Sequence, residues 1–252
     1  MTRADARVLL VGMGGIGCPA ALVLAQAGVG RIGLCDDDEV ERTNLHRQIL
    51  FSDADVGMPK IDAALRALAR MSDENAAAAT LAAGAAVAYR VHPSRLLPEN
   101  AVATVSEYDV VLEGSDNFAT KFLTADACAI ARVPVVHASA VRWIGTALAV
   151  GPGGGPCYRC LFEDVPAGDA PNCSEAGVMG PVVGVVAAAA ADLALAMADG
   201  DAPFGELVTF DGRSGNLRRR GVARRADCPL CGYAPRIRGI ESSAYVSPAC
   251  AG

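Results

Sequence analysis

Along the chain, short apolar runs alternate with longer stretches whose apolar residues recur at helical spacing. Val8-Leu9-Leu10-Val11 has the length of one buried strand, and after a glycine-rich break an apolar, helix-spaced run continues to Ala27. Arg31 to Cys35 predicts a second strand. Lys60 to Met71 carries Ile61, Leu65 and Leu68 at helical spacing, and Tyr108 to Leu112 predicts a strand running into a helix from Phe118 to Ala131. Val133 to Ala138 and Thr146 to Val150 extend the sheet; Leu207 to Asp211 and Leu217 to Val222 are late strands beyond a helix opened by Pro181. Strands alternating with helices in this order predict a doubly wound α/β fold with a mostly parallel sheet.

Between these elements the pattern weakens. Met71 to Asn100 holds an alanine-rich segment, 76–88, read as a surface insertion or irregular helix, with a possible strand at Val87 to Val91. Gly151 to Pro156 predicts a sharp turn, and Leu161 to Asn172 a loop without periodicity. The longest apolar run, Gly180 to Ala191, is shorter than a membrane span and is followed by Asp192 and Asp199, so it predicts a buried helix. From Tyr233 the sequence predicts a weakly ordered tail.

Composition narrows the class. A hydrophobic fraction of 52% in 252 residues is ample for a core, and the net charge of −6 argues against nucleic acid or an anionic membrane as the main partner. Met1 to Ala6 lacks an apolar core of signal-peptide length, which predicts a cytoplasmic protein. Nine cysteines are too few for a disulfide scaffold; four of them form two C-x-x-C pairs, which in a reduced compartment predict metal binding.

The glycine break is Gly12-Met13-Gly14-Gly15-Ile16-Gly17, between a strand and a helix. Gly12, Gly14 and Gly17 permit a tight turn, close approach of a phosphate, and close packing of helix on strand, the Rossmann-like arrangement. The helix start then favours an anion. Asp36 lies 19 residues past Gly17, where a carboxylate can take ribose hydroxyls. Asp36-Asp37-Asp38 repels a polyphosphate unless cations intervene, and Asn44, Arg47, Gln48 and Lys60 supply the donors; this favours a triphosphate over a dinucleotide. Ser115-Asp116-Asn117 follows a strand end and faces the same crevice as Gly14.

Cys157, Cys160, Cys228 and Cys231 make a four-thiolate set for one structural zinc, with no position left open for substrate. Cys173 lies shortly before a helix start, where the dipole raises thiolate content, and is a candidate nucleophile. Cys18, Cys35, Cys128 and His137 read as packed residues, His46 and His92 lack a metal-ligand pattern, and nothing places Cys250 near the nucleotide.

Five motifs, in one order over Arg7 to Gly232, carry a resemblance: Gly12-x-Gly14-Gly15-x-Gly17, Asp36-x-Asp38, Asn44-x-x-Arg47-Gln48, Gly57-x-x-Lys60 and Ser115-Asp116-Asn117. They resemble the ubiquitin-activating-enzyme superfamily. The C-x-x-C pairs and Asn172-Cys173-Ser174-Glu175-Ala176-Gly177 are similar to its bacterial ThiF, MoeB and HesA branch. The resemblance implies an adenylyltransferase that activates the C-terminal glycine of a ubiquitin-fold sulfur carrier ending in Gly-Gly, as in thiamin or molybdopterin biosynthesis, from a homodimer and with a possible sulfur donor. It assigns Gly12, Gly14, Gly15, Gly17, Asp36, Asp38, Thr43, Asn44, Arg47, Gln48, Lys60, Asp116 and Asn117 to the ATP site. Arg47, Lys60 and Asp116 are its catalytic groups, with Asp116 also the magnesium ligand; Cys173 can relay sulfur or an acyl group. Residues 1–156 are then the ATP-binding adenylation region, 157–232 the crossover loop, core helix, late strands and zinc site of the same domain, and 233–252 the tail. Related bacterial enzymes begin with a helical arm that carries an arginine to the partner subunit's nucleotide; six residues precede Arg7 here, and Arg3 is given no such role.

Three alternatives stand beside this one: adenylation of a different peptide or carrier in specialised metabolism, a non-catalytic nucleotide-binding half of a heterodimer, and a nicotinamide dehydrogenase. The last gives Arg47, Lys60 and the paired cysteines nothing to do.

Overall fold

Strand β1 (Arg7–Val11) is the middle of the five parallel strands in a sheet that, among the described residues, has eight, ordered β3-β2-β1-β4-β5-β6-β7-β8. The computed structural model describes residues 2–78, 87–164 and 177–245. From β1 the chain passes through α1 (Gly17–Gln26) to β2 (Arg31–Cys35), through α2 (Lys60–Ala78) to β3 (Ala88–His92), then returns to the other side of β1. There α3 (Ala101–Val105) leads to β4 (Val110–Glu113), and α4 (Phe118–Ala131) to β5 (Val135–Val141). β3, β2, β1, β4 and β5 run parallel; β6 (Ile144–Val150), followed by the one-turn α5 (Tyr158–Leu161), and β7 (Glu206–Asp211) and β8 (Asn216–Gly221) add an antiparallel edge. This is the mostly parallel α/β fold expected. The strand order reverses between β1 and β4, where a crevice opens at the C-terminal strand ends.

Alternation along β1 divides the core. Val8 and Leu10 join α1, α2 and α6 (Gly180–Ala198) on one face, while Leu9 and Val11 join α3, α4 and the paired cysteines on the other. α6 has 19 residues, so the apolar run of the sequence is the first part of a helix long and apolar enough to cross a membrane. Most of it is buried, however, against α1, β5 and β6, as a core helix.

Other elements depart from the pattern in detail. The possible strand at Val87 to Val91 is β3, Ala88–His92, an edge paired among the described residues to β2 alone. α2 continues past Met71 to Ala78, because alanine favours helix; 79–86 lie outside the described residues. The five-residue α3 has too few residues to show a period. Beyond Tyr233 the expected tail instead packs Ile237, Ile240 and Tyr245 on the core, and Tyr245 Oη donates to Asp126 Oδ2 at 2.8 Å. A few apolar residues spaced without period suffice for this docking, which is why the pattern did not show it. Residues 246–252, with Cys250, and 165–176, with Cys173, lie outside the described residues.

Candidate functional site

The crevice at the β1/β4 switch is a cleft of about 480 Å3. Its floor is the glycine turn. Gly12 has φ +91°, a backbone state that suits glycine, and a Cβ there would stand 3.1 Å from Ser115 N. Gly14 faces open space apart from Gln48 Nε2 at 3.8 Å from such a Cβ, so its backbone is open to a ligand. Gly15 lies under Arg47 and Val183 of α6. Gly17 differs from them, since a Cβ would fall 2.0 Å from Gly12 O; this glycine lets α1 close on the strand and does not line the cleft.

At the end of β2, Asp36 accepts from the Met13 N–H at 2.6 Å through one oxygen and from the Asp38 N–H at 2.8 Å through the other. The carboxylate thus fixes the glycine turn, and its remaining lone pairs face the cleft. Lys60, at the start of α2, has a side chain only 7% exposed; its Nζ donates to Asp38 Oδ2 at 2.7 Å and lies 4.0 Å from Asp36 Oδ1. Burial pushes the Asp36 pKa up, against the opposing effect of Lys60 and two backbone N–H donors. Burial alone would lower Lys60, but Asp36, Asp38 and Asp116 more than offset it and the ammonium is favoured.

Asn44, Arg47 and Gln48 descend from the short 3-10 turn at Arg42–Asn44 and wall the cleft opposite β4. Gly180 at the start of α6 lets this segment approach, since a Cβ there would lie 2.7 Å from His46 O. Arg47 makes no side-chain hydrogen bond or ion pair among the described residues, so its guanidinium is available to a ligand. Gln48 is buried with Oε1 unpartnered, an orphaned acceptor on the cleft wall. Asn44 donates to Glu41 Oε2 at 3.1 Å. Thr43, assigned to the site by resemblance, is exposed, donates to Glu41 and does not line the cleft.

Across the cleft, Asp116 is exposed on the turn between β4 and α4, and Asn117 caps α4 by accepting from the Thr120 N–H at 2.7 Å. Among the described residues, six carboxylates (Asp36, Asp37, Asp38, Glu39, Glu41, Asp116) and three cationic side chains (Arg47, Lys60, Arg95) line the space. A polyphosphate there needs a further cation. Asp116, free of side-chain hydrogen bonds among the described residues, suits a hard, partly hydrated ion such as magnesium.

Several lining residues were not legible in the sequence. Arg95, beyond β3, donates through Nε to Asp37 Oδ2 at 2.7 Å and closes one end of the cleft; it stands in the stretch with no pattern. Ser139 and Ala140 come from β5, Val178 from just before α6 and Val183 from its first turn, each an ordinary residue brought in by the fold. Arg3 is engaged elsewhere, in a two-pronged pair with Asp199 at the end of α6.

A second cluster lies on the other face of the sheet. The sulfurs of Cys157, Cys160, Cys228 and Cys231 all lie within 4.8 Å of one another, and four of the six separations are 3.4 Å to 3.8 Å. Disulfides need about 2.05 Å. Four sulfurs at about 2.3 Å from a shared tetrahedral centre stand about 3.8 Å apart, so the set fits zinc. Around it, Arg159 makes a buried fork onto Asp126 of α4 at 2.9 Å, and the Tyr158 ring packs on Phe122 and His137. The pairs therefore bring the loop after β6 and the segment after β8 together beside α4.

The comparisons agree with this arrangement. Residues 3–230 match the ThiF family. The "Adenylyltransferase and sulfurtransferase MOCS3" of Anopheles gambiae is 39% identical over 236 residues, 92% of this chain and 51% of that protein. The protein of the same description from Drosophila yakuba is 40% identical over 237 residues, 92% and 50% respectively. The chain thus spans about half the length of the curated relatives it matches. Among solved structures, E. coli MccB crystallised with ATP superposes with a TM-score of 0.74 at 23% identity, over 91% of this chain and 67% of that one, a likeness of fold. Family match, identity and the motif-built cleft lead to one conclusion: the chain belongs to the ThiF family.

Proposed function

We propose that this chain is an adenylyltransferase that uses ATP to activate the terminal carboxylate of a ubiquitin-fold sulfur carrier ending in Gly-Gly. The observation that carries the proposal is the convergence of an open glycine turn, a buried Asp36–Lys60 pair with Asp38 on its rim, and Arg47 and Asp116, both unpaired among the described residues, on one cleft. The dehydrogenase alternative gives these cations no role.

In the reaction, a carboxylate oxygen of the carrier attacks the α-phosphorus, the bond to the bridging oxygen breaks, and pyrophosphate leaves with its electron pair. Positioning and charge neutralisation account for the rate. Asp36 takes the ribose hydroxyls, the Gly14 backbone lies beside the phosphates, and Arg47 and Lys60 hold phosphate oxygens. Asn44, Gln48 and Asn117 complete the polar wall. Asp116 would hold magnesium, which would supply charge neutralisation on the phosphates. The four cysteines would hold a structural zinc.

Cys173 is proposed to relay sulfur or an acyl group after adenylation, and a homodimer to be the working unit. Full-rate sulfur transfer by Cys173→Ser would rule out the relay without touching the adenylation step. The main test is ATP–pyrophosphate exchange with and without carriers ending in Gly-Gly. Carrier-dependent exchange supports the proposal; exchange only with a short peptide replaces the substrate class; no exchange despite ATP binding points to a non-catalytic half of a heterodimer.

A further inference from the structure

Beneath the cleft lies a buried polar cluster that no motif contains. Glu113, the last residue of β4, is fully buried. Its Oε1 accepts from the Ser115 backbone N–H at 2.8 Å and also from Ser115 Oγ. Its Oε2 accepts from Lys121 Nζ at 2.8 Å and faces His137 Nδ1 at 3.4 Å. Lys121 Nζ also donates to Ala138 O at 2.8 Å, joining the ends of β4 and β5 immediately before Ser139 and Ala140 enter the cleft wall. Although burial opposes it, Lys121 with His137 holds the Glu113 carboxyl below its ordinary range.

A buried ion pair is weak evidence for stability, because desolvating two charges offsets most of their attraction. Its geometry here suggests another purpose. Asp116 has no side-chain hydrogen bond of its own among the described residues, so its place is set by its neighbours. On one side Asn117 is fixed as the cap of α4. On the other, the Ser115 backbone is packed against Gly12, whose hypothetical Cβ would stand 3.1 Å away, and is held from below by Glu113.

We infer that Glu113 is a positioning residue whose acceptor oxygen fixes the Ser115 turn and thereby sets Asp116 against the glycine turn. The inference rests on the proposed adenylation chemistry, in which Asp116 works at the phosphates. An error of about 1 Å in such a group can cost about 10²-fold in rate.

The test separates the acceptor from the charge. Glu113→Gln with Lys121→Met removes both buried charges but keeps an acceptor for Ser115; Glu113→Leu with Lys121→Met removes the acceptor as well. The first double variant is expected to keep near-native exchange. The second is expected to lose about 10²-fold in kcat and to need more magnesium for half-maximal rate, at comparable Tm. Native kcat and magnesium dependence in the second overturn the inference, as do equal losses in both. Amide exchange in the native protein reads the clamp without mutation: slow exchange at Ser115 supports it, and fast exchange overturns it. If the native protein catalyses no exchange at all, the functional proposal fails separately. The clamp is then read by calorimetry of ATP binding across a magnesium series, where only the acceptor-less variant should need more magnesium for half-maximal binding; an unchanged requirement overturns it.

Discussion

Lys60 Nζ donates to Asp38 Oδ2 at 2.7 Å, so the best-buried cation of the cleft is already held by a carboxylate on its rim. Asp38 is the more exposed partner, with 58% of its side chain accessible against 7% for Lys60. An arriving phosphate can therefore compete for the ammonium while Asp38 turns to water. The acid keeps the lysine charged and aimed until ATP enters.

Replacing Lys60 by Met should lower exchange by about 10²- to 10³-fold, the usual effect of losing one preorganised donor to developing charge. It should also change the pH response of stability. Burial already raises the Asp36 pKa, so its contribution is fully present below its unfolded value and is lost as pH rises through the folded one. Removing Lys60 raises that folded value further. The Tm deficit of Lys60→Met relative to the native protein should therefore be larger at about pH 8 than at about pH 5. Thermal melts across that range check the sign.

Two glycines of one motif should fail in different ways. Gly14→Ala meets open space and should leave Tm nearly unchanged while abolishing ATP binding by calorimetry. Gly17→Ala drives a Cβ to 2.0 Å from Gly12 O and should impair folding itself, by about 1–3 kcal/mol or more. Equal Tm losses in both would contradict their assigned roles.

Denaturing metal analysis should return about one zinc per chain. Cys231→Ser should abolish that stoichiometry and destabilise the fold by more than about 2 kcal/mol, a fall in Tm of at least about 4 °C. Metal-free native protein with an unchanged Tm would remove zinc from the structural account.

The buried Arg159–Asp126 pair offers a test of how the cysteine cluster grips α4. Arg159→Met leaves Asp126 buried with only Tyr245 as a side-chain donor among the described residues, and should destabilise by about 3–5 kcal/mol. The double variant with Asp126→Asn should recover part of that loss. Denaturant titration of the three proteins measures it.

At the surface, Asp109 accepts from Arg7 through two side-chain nitrogens and the backbone N–H, fastening the start of β1 beside β4. The side-chain hydrogen bond from Arg7 holds its pKa below the ordinary carboxylate value despite partial burial. Its contribution is present above the unfolded pKa and lost as pH falls through the folded one. Asp109→Asn should lose about 1 kcal/mol at neutral pH and match the native protein in strong acid, as urea titrations at several pH values would register.

The local signals along this chain determined a great deal. Gly12 to Gly17, the aspartates after β2 and the helix-opening Lys60 are short-range chemistry, where spacing of a few residues fixes geometry, so the strand–turn–helix core and its family were readable. So was the cysteine set, because each C-x-x-C brings two sulfurs together on its own. What only the tertiary structure decided depends on contacts between residues far apart in sequence. Arg95 reaches the cleft because β3 pairs at the sheet edge, and Val183 because α6 crosses over Gly15. Glu113, Lys121 and His137 look like an ordinary acid, base and strand residue until β4, α4 and β5 enclose them. No linear pattern announces such a cluster, since burial gives its charges their meaning, and burial belongs to the whole fold.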